Sequence, residues 1–266
     1  MPLAYYSHSA TKDFWTEHWG GHDVQELVDV ARRSPLTGLI ERYLDRTGCV
    51  LEAGCGLGQY VLLLRERGHR VVGADWSFEA VRDGARAGGP LTVMDLRALG
   101  IRTGSVSTYV SLGVVEHDPD GPDAILREAA RVLKPGGTLL ISVPYWNGVR
   151  RLFGPYLVRR NARTAADGGQ FYQYAFKRRE VRAFLRRFGF EVTSFHSYDP
   201  TRLLRKASRR LIPSNSGPVG RASHGSRPAG QALAARLAQR AVRALLYTPP
   251  GLRLLGHMIM AVAVRA

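Results

Sequence analysis

The chain has 266 residues, 45% of them hydrophobic, which is enough for a sizeable core and excludes a disordered chain. Its formal net charge of +16 suits either anionic partners (a membrane surface, a nucleic acid or a phosphorylated substrate) or a solvated basic face with an arginine-rich composition bias. Two cysteines, Cys49 and Cys55, give neither a disulfide framework nor zinc spacing, and a reducing cytoplasm is the expected setting.

Residues 1–48 read as a helical lead-in. Leu27, Val28 and Ala31, then Leu36, Leu39, Ile40, Tyr43 and Leu44, recur at helical spacing, with Pro35 between the two segments. No basic stretch leads into an apolar core, as a signal peptide requires. From residue 49 strands and helices alternate. An apolar run closed by glycines predicts a strand over 49–53, and 59–67 predicts a helix that stops at Gly68. A second strand over 70–74 ends at Asp75, and Ser77 caps a helix to Arg86. Strands follow over 91–94 and 106–112, then a helix over 120–132 with Pro122 in its first turn. Residues 134–137 read as a turn and 138–143 as a fifth strand. This rhythm predicts an α/β fold, a mostly parallel sheet with helices on both faces.

Further on, 145–175 reads as irregular and aromatic, a wall for an apolar pocket. Residues 178–188 predict a helix, 190–195 a strand and 257–264 the last strand. The apolar run over 258–264 is far short of the ~20 residues a membrane-spanning helix needs. Between those last two strands lies an insertion over about 200–254. From Pro200 onward there is no Asp or Glu, while Arg202, Arg205, Lys206, Arg209, Arg210, Arg221 and further arginines follow. Segments 202–211 and 231–247 read as basic amphipathic helices flanking a Ser-, Gly- and Pro-rich loop. Their apolar stripes suit packing on the sheet domain or peripheral contact with a membrane.

The chemistry concentrates in Glu52-Ala-Gly-Cys-Gly-Leu-Gly58, between a predicted strand and a predicted helix. Glycines there allow a tight turn and close approach of backbone to a ligand, at the sheet edge where ligands bind. The Gly54-x-Gly56-x-Gly58 spacing differs from the dinucleotide fingerprint. Glu52, two positions ahead of the first glycine, suits a cationic amino-acid ligand better than a phosphate. Asp75 is placed to take a ribose diol, in either reading, and Asp95 to accept from an adenine amino group or to cap a loop.

These residues resemble the class I S-adenosylmethionine methyltransferases, in particular the small-molecule branch that includes ubiquinone-biosynthesis-like enzymes. The matching pieces are the Glu52–Gly58 turn, Val71-Val-Gly-Ala-Asp-Trp-Ser77, Met94-Asp95-Leu96, Ser111-Leu-Gly-Val-Val-Glu-His117 and Leu133-Lys-Pro-Gly-Gly-Thr-Leu-Leu-Ile-Ser-Val-Pro144. They arrive in family order over about 48–145, and 174–180 and 188–192 look like the family's late helix and strand. The resemblance implies a doubly wound Rossmann-like sheet with an antiparallel last strand. It also implies a methyltransferase domain over 49–266, with the lead-in as a lid. The implied cofactor is S-adenosylmethionine. Glu52 and Gly54, with Cys55, Gly56 and Gly58 in the same turn, would serve its methionine end. Asp75 would hold the ribose, Trp76 would lie against the adenine, Asp95 and Leu96 would bind its edge, and Leu112 and Gly113 would line the floor beneath the sulfonium. The sequence departs from the family where Ser107 replaces a frequent Asp, and where the basic insertion exceeds a minimal member.

The sulfonium is an activated methyl donor, so the protein's main task is to align the reactants. If the acceptor holds a proton, His117 is the candidate base, with a structural histidine as the alternative. Glu116 reads as structural, Tyr172 and Tyr174 as pocket walls, and Tyr5, Tyr6, Trp15 and Trp19 as packing residues, with a lid formed by one of them as the alternative that the resemblance implies. Cys55 reads as chosen for small size. Two other readings stay open: a nucleic-acid methyltransferase using the basic C-terminal region, though no RNA-binding module or Asn/Asp-Pro-Pro-aromatic signature is found, and a non-catalytic cofactor-binding partner subunit.

Overall fold

A computed structural model of the chain describes residues 1–7, 10–202, 242 and 244–266. Of the expected basic helices over 202–211 and 231–247, only 202, 242 and 244–247 lie among those residues.

The main sheet has seven strands in the order β4–β3–β2–β5–β6–β9–β8. They are β2 (Cys49–Ala53), β3 (Arg70–Asp75), β4 (Leu91–Val93), β5 (Val106–Leu112), β6 (Leu133–Pro144), β8 (Phe190–Tyr198) and β9 (Met258–Arg265). β2 to β6 pair in parallel, and β9 runs antiparallel between β6 and β8. The expected doubly wound sheet is therefore present, and its antiparallel last strand sits inside the sheet.

Strand alternation divides the core in two. One face carries Leu51, Tyr109, Leu139 and Ile141, covered by Leu126 and Ala129 of α6 (Asp123–Val132) and by Val181 and Leu185 of α9 (Arg178–Arg187). The other carries Val50, Val71, Val110, Leu140 and Met260, covered by Ile40 of α3 (Pro35–Glu41) and by Val61 and Leu64 of α4 (Gln59–Glu66). α5 (Phe78–Arg86) is capped by Ser77, whose hydroxyl accepts from the Ala80 N–H at 3.3 Å. Ser107 donates from Oγ to the Cys49 carbonyl at 2.7 Å and ties β5 to β2. Among the described residues no helix is long and apolar enough to cross a membrane.

Three expectations need correction. The lead-in is helical only from Lys12, through α1 (Lys12–Gly20), α2 (Val24–Arg33) and α3. Before it, β1 (Leu3–Ser7) pairs antiparallel with β7 (Gln170–Ala175) in a separate two-stranded sheet. A five-residue strand held by a distant partner has no helical period to read. Second, 145–175 is ordered as α7 (Gly148–Leu152), α8 (Gly154–Ala166) and β7. Asn147 caps α7 by accepting from the Arg150 N–H at 2.9 Å, and Pro155 opens α8. The density of aromatic residues masked this helical potential. Third, 134–137 is not a free turn but belongs to β6, which shifts register opposite Val106 and Thr108.

Candidate active site

Parallel strands end together, and the order of this sheet reverses between β2 and β5, where an open α/β sheet forms its crevice. A cavity of about 430 Å³ lies there. One half of its wall comes from the β2–β4 side: Glu52, Gly54, Cys55, Asp75, Trp76, Asp95, Leu96 and Arg97. The other half comes from the β5–β8 side, with Leu112, Gly113, His117, Ser142, Tyr198 and Met258. Ten of the twelve expected site residues thus share one wall.

The glycine turn is built by backbone bonds. The Gly54 and Cys55 N–H groups donate to the Ala74 carbonyl at 2.7 and 3.2 Å. Gly54 has φ +80°, and a Cβ there would collide with Val114. Gly56 and Gly58 are the two expected residues absent from the wall. Gly56, at φ +53°, is roofed by the Trp19 indole, and Gly58 faces Leu91. Both have positive φ and shape the turn. Cys55 is buried, and burial pushes its thiol well above the ordinary value, in line with a choice for size.

Asp75 is fixed by this turn. Its Oδ2 accepts from the Gly56 N–H at 2.8 Å and its Oδ1 from the Ser77 N–H at 3.0 Å. Burial pushes its carboxyl up, and these backbone donors oppose the shift. Each oxygen keeps a second lone pair for a diol. Asp95 is held differently. Its oxygens accept from Arg97 Nε at 3.0 Å and Nη2 at 2.8 Å, which keeps the carboxyl below the usual range. Arg97 also lines the cavity and was missed in the sequence.

Glu52 is buried, and its Oε2 has no hydrogen-bond partner. The same holds for Oε1 of Gln59, the first residue of α4 and another lining residue missed in the sequence. Burial pushes the Glu52 carboxyl up to about 8. Two buried acceptors without donors on one cavity wall are costly unless a ligand supplies the donors. An ammonium group does so and carries the charge that would ionise Glu52. The residues therefore fit the amino-acid end of S-adenosylmethionine.

His117 ends a 3-10 turn (Val115–His117) after β5. Its Nδ1–H donates to the Tyr172 carbonyl at 2.8 Å, which fixes the tautomer and leaves Nε2 as the acceptor. Burial holds the imidazole at about 4, neutral at ordinary pH. The ring packs edge-on against Trp15 at 4.9 Å and Tyr172 at 5.1 Å. The neighbouring Glu116 is buried, its Oε2 is unpartnered, and burial pushes it up to about 8. Of the expected aromatic wall over 145–175, no residue lines the cavity. Trp15, Trp19, Tyr60 and Tyr198 take that place. Tyr5 and Tyr6 lie in β1, away from the wall, whereas Trp15 and Trp19 close it from α1. α1 buries none of its own residues. Thr16 Oγ1 tethers it to Ser77 Oγ at 3.1 Å and to Glu79 Oε2 at 3.3 Å.

Residues 51–141 match a methyltransferase domain family. A ubiquinone biosynthesis O-methyltransferase of Xanthomonas oryzae is 32% identical over 179 residues, covering 63% of this chain and 74% of that protein. Among solved structures, a Haloferax volcanii putative methyltransferase, in complex with a Trm112 methyltransferase activator, has TM-score 0.58 at 19% identity, over 94% of this chain and 96% of that one. The geranyl diphosphate C-methyltransferase of Streptomyces coelicolor has TM-score 0.57 at 15% identity, over 98% of this chain and 91% of that one.

Proposed function

We propose that this chain, which belongs to the class I S-adenosylmethionine-dependent methyltransferases, methylates a small or lipid-like acceptor seated in the β5–β8 half of the cavity. The observation that carries this reading is the fixed tautomer of His117, a residue that lines the cavity. The bound cofactor supplies a methyl group activated by its sulfonium. Glu52 and Gln59 hold the ammonium end, Asp75 the ribose, and Trp76, Asp95 and Leu96 the adenine, with Gly54 and Cys55 giving the turn its close approach. Leu112 and Gly113 form the floor. Trp15 and Trp19 exclude water from above. His117 accepts at Nε2 the proton that a hydroxyl acceptor releases as it is methylated.

A small acceptor is supported by the name of the Xanthomonas relative, and an apolar one by Trp15, Tyr198 and Met258 on the wall. Residues 1–48 act as the lid-bearing lead-in to the methyltransferase domain over 49–266. The basic insertion over 200–254 brings the protein to a membrane, where a lipid-like acceptor resides. The test is methyl transfer from labelled S-adenosylmethionine to prenylated and plain phenols, with transfer RNA as the opposing arm. Labelling of the phenols supports the reading, and labelling of RNA alone overturns it.

A further inference from the structure

α7 and α8 present an exposed surface that no part of the methyl-transfer site uses. Leu152 is 77% exposed, Phe153 53%, Tyr156 62% and Val158 50%. A soluble helix normally turns such side chains inward. Interleaved with them are the exposed Arg151, Arg159, Arg160 and Arg163, and residues 148–166 contain no Asp or Glu. The surface continues onto a last helix, α10 (Pro249–Leu255). Leu254 there packs against Gly148, where a Cβ would come within 2.7 Å of its Cδ1, yet remains 52% exposed. Arg253 beside it is exposed, and Leu245, just before the helix, is 69% exposed. Asn147 joins the two parts by donating from Nδ2 to the Gly256 carbonyl at 2.9 Å.

We infer that the α7–α8–α10 face docks on an anionic lipid bilayer, its leucine, phenylalanine and tyrosine side chains entering the headgroup region and its arginines pairing with lipid phosphates. Charge and apolar content together select this occupant. A nucleic acid would engage the arginines but would gain nothing from burying Leu152 and Leu254. A protein partner would need an acidic apolar surface. Interfacial helices combine these two side-chain classes on one face. The location also suits access to the site, because α7 follows the C-terminal end of β6 and α10 leads into Met258 on the cavity wall. This inference rests on the proposed membrane contact and deepens it, adding α7 and α8 to Leu245 and α10 at the end of the insertion.

The test uses the full chain, sedimented with vesicles of phosphatidylcholine alone or mixed with phosphatidylglycerol. Binding is expected only to the anionic vesicles, and to weaken in high salt. Leu152→Asp with Phe153→Asp is expected to lower the partition coefficient about tenfold or more. Arg159→Gln and Arg160→Gln are each expected to lower it about fivefold. S-adenosylmethionine binding and transfer to a water-soluble acceptor stay unchanged in these variants, which separates the docking face from the active site. Equal binding by wild type and variants would place the contact elsewhere and overturn the inference. So would absence of vesicle binding, preference for RNA, or a large fall in melting temperature for Phe153→Asp, which would mean that the chain itself covers this face.

Discussion

Nδ1 of His117 lies 2.8 Å from the carbonyl oxygen of Tyr172, so the candidate base is oriented by β7, a strand that supplies no residue to the cavity wall. Losing the imidazole removes proton acceptance but none of the cofactor contacts. His117→Asn is expected to lower kcat by about 10²- to 10⁴-fold and to leave S-adenosylmethionine affinity unchanged, as read by steady-state kinetics and calorimetry. A variant that loses cofactor affinity in the same proportion would reassign His117 to binding.

The same residue sets a pH dependence. Burial lowers its folded value to about 4, so the imidazole stays neutral until the pH falls through that value. The acid limb of kcat/KM is expected well below the ordinary histidine value of about 6.5. A limb at 6.5 would show that His117 titrates in water and not in a dry cavity.

Glu52 titrates with the opposite sign. Its folded value, pushed up to about 8, means that the ligand-free protein holds a proton there at neutral pH. An incoming ammonium lowers that value, so binding should release up to one proton and tighten as pH rises toward 8. Calorimetry in buffers of different ionisation enthalpy reads the release directly. Glu52→Gln should abolish it and weaken binding. In the absence of ligand, the stabilisation from the raised value is present at low pH and is lost as pH rises through about 8.

Asp75 offers two acceptors to two backbone donors, Gly56 and Ser77. Asp75→Asn turns one acceptor into an NH₂ facing an N–H, at a cost of about 1–3 kcal/mol. Affinity for S-adenosylmethionine should fall about tenfold or more, and NAD should bind neither protein. Retained affinity in Asp75→Asn would remove this residue from the ribose site.

Gly56→Ala tests the lid. The new Cβ would lie 2.5 Å from Trp19 Cζ2, at a backbone φ of +53°. Left-handed strain adds about 1–2 kcal/mol, so the melting temperature should fall by several degrees. Combined with Trp19→Ala, the cost should be smaller than the sum of the two, because the collision is gone. Strict additivity would show that Trp19 does not rest on this turn.

The sequence was most legible where function is local. Glu52, the glycine turn and Asp75 lie at strand ends next to their own turns, and the βα rhythm alone locates them. His117 was legible because it follows β5 directly. Gln59 and Arg97 were missed because ordinary helix and loop residues give no pattern. Tyr198 and Met258 reach the wall only because β8 and β9 fold back beside β6, which no short window contains. Phe153 and Tyr156 misled for a related reason. Aromatic density does not say which side chains the fold turns inward, and these two stay exposed.

The central placement of β9 also constrains how the molecule is made. β6 and β8 never pair with each other; each finds its partner in Met258–Arg265. On the ribosome, β6 emerges long before β9, and its flank stays open throughout that interval. An unpaired strand of such apolar composition invites annealing to other nascent chains. Biogenesis should therefore depend on holdase chaperones at elevated expression, and C-terminal truncations that remove β9 should yield inclusion bodies rather than a smaller folded enzyme.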